Sequence, residues 1–208
     1  MRTLAARAAL PFLAAAALAA GCRSGPTGRV QDPGEPVGVD VHGAGVDILD
    51  PMMKKGVEEI LSAAQGALAG SAERPRLIFA GIENNSDERL GEKREYLYDT
   101  VDTIVGQFGT FDMVSRTFVE NMLSQMGQQP RVELLIDPKM RRAVVERFEQ
   151  AEGRDYVRYV LWGKFNNATS EVGADATEKK YALVLELVDV KTGAGQKRQV
   201  FGRKAYTR

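Results

Sequence analysis

Cysteine occurs once in this chain, at Cys22, and histidine once, at His42. A single thiol forms no intrachain disulfide, and beyond position 22 it leaves neither thiol catalysis nor a cysteine metal site. One histidine, set in a Pro/Gly-rich stretch, excludes a Ser-His-Asp or Cys-His arrangement and any histidine-bearing zinc site. Neither sign of charge is in excess: 28 Lys and Arg face 28 Asp and Glu. Losing Arg2 and Arg7 with a cleaved leader turns the balance slightly acidic, so there is no electrostatic footprint for a nucleic-acid partner. The apolar run at residues 8–20 is broken by Pro11 and falls short of the ~20 residues that span a bilayer.

What is present begins with a leader. Arg2 and Arg7, the Ala- and Leu-rich run behind them and the small residues before Cys22 make a charged n-region, an h-region and a cleavage site over residues 1–21. Leu18-Ala19-Ala20-Gly21-Cys22 resembles the lipobox of bacterial lipoproteins, whose cysteine takes a diacylglycerol on sulfur and becomes the first residue of the mature chain. An ordinary signal peptide or an anchor with an incidental thiol leaves the position of that lone cysteine unexplained. On the lipoprotein reading Cys22 carries a covalent diacylglycerol and an N-acyl chain, enough to hold the protein on a membrane surface. No other cofactor is expected.

Residues 22–46 read as a flexible tether. From position 23 to 46 nine of 24 residues are Gly or Pro, and no apolar side chain larger than Val occurs, too little to offset chain entropy by burial. Stretched, the tether reaches at most ~80–90 Å; relaxed, its ends sit about 25–30 Å apart. The remainder, residues 47–208, fits a single globular domain.

Within it, Asp50-Pro51 reads as an N-cap and N1 proline, followed by Met53, Val57, Ile60, Leu61, Ala64 and Leu68 on one helical face. Residues 76–82 are almost wholly apolar and read as a strand buried on both faces. Leu97, Val101, Ile104, Val105 and Phe108 mark a second helix ended by Gly109, and residues 111–115 a short edge strand. Thr117 to Glu120 has the pattern of a capping box for a third helix with Phe118, Met122 and Met126 inward. Residues 130–136 fit a strand or a turn into a helix. A fourth helix follows Asp137-Pro138, with Met140, Val144 and Phe148 in register. Strands then fall at 159–165, 181–188 and 199–205, the first two joined by a polar connection and the last two by a turn at Gly193-Ala194-Gly195. The fold class is α/β (α+β): a mixed sheet of four to five strands flanked by about four helices.

Catalytic signals are nearly absent. The acids fall on loops and polar helix faces and read as a solvated surface. Trp162, on an apolar strand, reads as a sheet-face aromatic. The loop at 84–94 follows a buried strand, so its polar residues are presented rigidly. Asn84, Asn85, Asp87 and Arg94 are the candidate partner-binding residues there.

Taken in order, the leader with its lipobox, the tether, the helix at Asp50-Pro51, the strand-loop LIFAGIENNSD, the strand YVLWGKF and the strand-turn LELVDVKTG resemble the LpoB-type outer-membrane lipoproteins that activate penicillin-binding proteins. The resemblance implies a domain similar to the N-terminal domain of TolB, a fold shared in part by CsgG-like secretion lipoproteins. It also implies a non-enzymatic regulator anchored in the outer membrane and facing the periplasm, since Arg23 is not the Asp that resembles an inner-membrane retention signal. The implied partner is a class A penicillin-binding protein, with no small-molecule substrate and no metal. The alternative is a structural or assembly part of an outer-membrane or secretion complex. With so short a tether, the activator role calls for near-full extension, a thin periplasmic gap or a synthase that reaches outward.

Overall fold

The computed structural model describes residues 29–30, 46–68, 74–88, 90, 93–153, 156–171 and 176–207. Residues 1–28, with Cys22 and the lipobox, lie outside the described residues, as does His42.

Helix α1 (Val46–Leu68) starts a turn before the expected cap, with Pro51 inside it. The reason is apolar burial. Ile48 and Leu49 are 2% and 1% exposed beside Met52 and Met53, and burying two such side chains is worth about 3–6 kcal/mol. That offsets the roughly 3 kcal/mol a proline costs inside a helix. Asp50, instead of capping, accepts a hydrogen bond of 2.7 Å from the Tyr96 hydroxyl.

The strands are β1 (Arg29–Val30), β2 (Arg76–Asn85), β3 (Asp112–Met113), β4 (Tyr159–Glu171), β5 (Ala176–Asp189) and β6 (Gly195–Thr207). They lie in the order β1-β6-β5-β4-β2-β3. β2 is parallel to both β3 and β4, and the other pairs are antiparallel. Arg29 and Val30 fall within the stretch read as tether, yet they pair with Ala205 and Lys204 at the sheet edge. Apart from residues 172–175, which lie outside the described residues, the connection expected between the first two strands of the meander is itself strand: β4 and β5 stay in unbroken register out to Glu171 and Thr177. β6 also begins earlier than expected and pairs with β5 from Gly195 onward. A polar segment keeps strand conformation when a neighbour holds its backbone groups, and composition alone does not reveal that neighbour.

β2 carries an irregularity. Phe79 pairs with Leu161 but Ile82 with Gly163, so one extra residue is taken up between them. Gly81 sits there with φ +91°, and a Cβ on it would lie 2.9 Å from the Tyr98 hydroxyl and 3.3 Å from Glu133 Cγ. Only glycine combines that φ with that crowding.

The sheet's two faces differ. α1 lies across β5 and β6, so close that a Cβ on Gly56 would meet Leu185 Cδ1 at 2.8 Å. α2 (Arg94–Phe108) packs beside α1 against β2 and β3 and ends at Gly109, φ 65°, whose N–H donates to the Val105 carbonyl. A 3₁₀ turn (Val132–Ile136) settles the ambiguous stretch and packs on β2. Behind it come α3 (Arg116–Gln125) and α4 (Pro138–Glu152). Arg141 of α4 is in the field of Glu186, which alternates with Leu185 and so faces away from α1.

Two caps differ in outcome. The capping box at Thr117 does not form, because α3 starts one residue earlier, at Arg116, and Arg116 Nε holds Glu120 at 2.8 Å. Val119, Met122 and Leu123 are the residues α3 buries, with Phe118 and Met126 partly buried against the core. Asp137 caps α4 as expected, accepting from the backbone N–H groups of Lys139 and Met140 at 2.8 and 2.9 Å.

Candidate functional site

β2 delivers its last residues to the sheet end where β4, β5 and β6 run on as a three-stranded arm. The chain leaving β2 folds back onto that arm through polar contacts. Asn84 makes the turn: its Oδ1 accepts from the backbone N–H and the hydroxyl of Ser86, at 3.1 and 2.6 Å. Its Nδ2 donates to the Glu88 carbonyl at 2.6 Å. Such side-chain-to-backbone bonds hold a loop where regular structure has ended.

The arm then clamps the loop. Asn167 of β4 donates from Nδ2 to Asp87 Oδ1 and accepts from the Asp87 backbone N–H. Lys179 of β5 bridges Asp87 Oδ2 at 2.9 Å and Glu88 Oε1 at 3.0 Å. Tyr181, fully buried and stacked on Phe165 with ring centroids 5.6 Å apart, donates its hydroxyl to the same Glu88 oxygen at 3.0 Å. The Lys179 ammonium holds the Asp87 carboxyl below its usual range, against the opposing effect of burial. Burial pulls Lys179 down, but its bonds to Asp87 and Glu88 outweigh this and leave it raised.

Of the four candidate residues, Asn84 and Asp87 enter one network. Asn85 is exposed at the last position of β2, in register with Asn166. Arg94 opens α2, and its side chain lies outside the described residues. Glu88, Asn167, Lys179 and Tyr181 complete the cluster and were not foreseen. For Asn167 and Lys179 the signal was the alternation hidden in a stretch read as a connection, while Tyr181 opens a strand that was read as such and Glu88 lies in the candidate loop. Beneath Asn84 a cavity of about 210 Å³ is walled by Phe79, Ile82, Leu90, Leu97, Tyr98 and Glu133.

The chemistry of this arrangement is presentation. The carboxylates of the cluster are tied up by Lys179, Tyr181 and Asn167, and among the described residues no group of three His, Cys, Asp or Glu is placed to hold a metal. No described helix is long and apolar enough to cross a membrane. Trp162 is half-buried on the sheet face away from α1, with the Lys164 ammonium 5.5 Å from its ring centroid, and Lys164 pairs with Glu83 at 3.2 Å.

The sequence profile of the peptidoglycan-synthase activator LpoB matches residues 49–196, which spans α1 to the start of β6. Among solved structures, the LpoB C-terminal domain from Salmonella enterica is similar at 20% identity and a TM-score of 0.50, over 73% of this chain and 96% of that one. The LpoB C-terminal domain from Escherichia coli is similar at 18% identity and a TM-score of 0.50, again over 73% and 96%. At these identities the likeness speaks for the fold. No curated relative matches the chain in sequence. The family match covers most of the folded domain, and the chain belongs to the LpoB family of peptidoglycan-synthase activators.

Proposed function

We propose that this protein is a lipid-anchored regulator of the outer membrane, held by acyl chains on Cys22, that binds a class A penicillin-binding protein and raises its synthetic activity. The family match over residues 49–196 carries this reading. The described residues support it in kind, since the turn after β2 is held by the hydrogen bonds and ion pairs of Asn84, Asp87 and Lys179. A regulator of this sort acts by binding the active conformation of its partner more tightly than the inactive one.

The partner-binding residues in this proposal are Asn84, Asn85, Asp87 and Arg94 at the end of β2. Asn84 is braced by Ser86 and the Glu88 carbonyl, and Asp87 by Lys179 and Asn167, so little ordering entropy remains to be lost on binding. The deciding experiment is co-purification of the mature chain with a purified class A synthase, together with glycan-strand synthesis in its presence and absence. Binding and faster synthesis, both weakened by Arg94→Glu, are the expected result. No binding at micromolar concentration overturns the proposal, and capture of secretion or envelope-assembly components instead points to a reuse of the fold. Anchoring is tested separately: Cys22→Ser is expected to move the protein from the membrane to the soluble fraction.

A further inference from the structure

β6 is an edge strand for most of its length. Its inner side pairs with β5 along the whole strand, from Gly195 to Thr207. On its outer side it has β1 alone, at Lys204 and Ala205. Among the described residues nothing pairs with residues 195–203 on that side, a stretch of about 30 Å at strand rise.

This edge has a one-sided composition. β6 carries Lys197, Arg198, Arg203 and Lys204 and no acid. Lys197 is paired with Glu186 at 3.0 Å and Arg203 lies 4.0 Å from Glu178. Arg198 is exposed, and its guanidinium donates to the Lys197 carbonyl at 2.8 Å. Cations on an edge often serve to repel unwanted strands. A second observation separates this edge from a guarded one. Phe201 lies in its middle and is 69% exposed. Its cross-strand neighbour on the same face is Ala182, too small to cover an aromatic ring. The strand beneath is rigid, because Gly202 faces α1, where a Cβ would stand 2.8 Å from Met52 Sδ.

We propose that residues 195–203 of β6 dock an extended, acidic segment of another polypeptide as an added strand. The backbone of β6 supplies the hydrogen bonds, the exposed Arg198 selects an acidic segment over a basic one, and Phe201 packs against an apolar side chain at an alternate position of the incoming strand. The short pairing with β1 shows that the edge accepts a strand. A second copy of this chain is a poor occupant, since its β6 carries cations and no acid to meet Arg198.

The test uses the full chain and two synthetic peptides of about nine residues, one alternating Glu and Val, the other Lys and Val. Amide hydrogen exchange of β6 is the readout. Protection of amides within 195–203 by the Glu-Val peptide alone, weakened by salt and reduced about tenfold in affinity by Arg198→Glu, is the expected result. Phe201→Ser is expected to weaken binding while leaving thermal stability intact. No protection, or equal protection by both peptides, overturns the proposal. So does protection that rises with protein concentration in the absence of peptide, which assigns the edge to self-association.

Discussion

β5 and β6 show opposite characters on their two sides. Toward α1, Leu183, Leu185 and Leu187 are 0%, 0% and 2% exposed. On the other side Ala182, Val184 and Glu186 are only partly covered, and Phe201 stands 69% exposed. One backbone thus serves two purposes that tolerate change very differently. Where α1 presses down, a single methyl group matters. On the open side, substitution leaves the fold alone and changes what the surface offers to other molecules.

Truncating the packed side should cost most. Leu185→Ala leaves a cavity under Gly56 and is expected to destabilise the domain by about 2–5 kcal/mol in chemical denaturation. Gly81→Ala comes next: the φ of +91° and the approach to Tyr98 and Glu133 should cost about 1–3 kcal/mol. Lys179→Met strips the cation from Asp87 and from the largely buried Glu88. After discounting for solvent at Asp87, about 1–2 kcal/mol is expected, with faster amide exchange at Ser86, Asp87 and Glu88.

The same clamp sets a pH dependence. Asp87 is held below its ordinary 3.8, so its contribution is complete above that value and is lost as pH falls through the lower, folded-state value. Lys179 is held above its ordinary 10.5, so its contribution is present below 10.5 and is lost as pH rises through the folded-state value. An NMR titration of the Asp87 carboxyl and the Lys179 ammonium would check both directions. At the small end of the series, Phe201→Ser is expected to shift stability by less than about 0.5 kcal/mol. A large loss there would break the contrast between the two sides.

The elements that sequence periodicity revealed are those whose apolar spacing is local. α2 with Leu97, Val101 and Ile104, and α4 behind Asp137-Pro138, carry their own start, stripe and stop. Where tertiary burial outweighed a local signal, the reading slipped: Ile48 and Leu49 drew α1 upstream past Asp50, and α3 began at Arg116 instead of with the box at Thr117. The β4 and β5 part of the arm was hidden for a related reason. Its residues are polar, and only the partner strand makes them β. At the candidate site, Asn84 and Asp87 were legible because they follow a buried strand. Asn167, Lys179 and Tyr181 contact the loop from 80 to 93 positions away in the chain, a relation that no local pattern encodes.

The extra residue in β2 amounts to a reading frame for that strand. Beyond it Ile82 shares the side of Gly163, Glu83 that of Lys164 and Asn84 that of Phe165. Were the ladder to run on without that irregularity, Ile82 would fall opposite Lys164 and the phase would invert: Glu83 would turn to the side of Phe165, Ile82 to that of Lys164, and Asn84 away from the turn it builds. A one-residue deletion at Gly81 should therefore straighten the strand and leave Ile82 opposite Gly163, whereas a one-residue insertion after Ile82, where the ladder is regular, should behave as a frame error in three dimensions and abolish the fold.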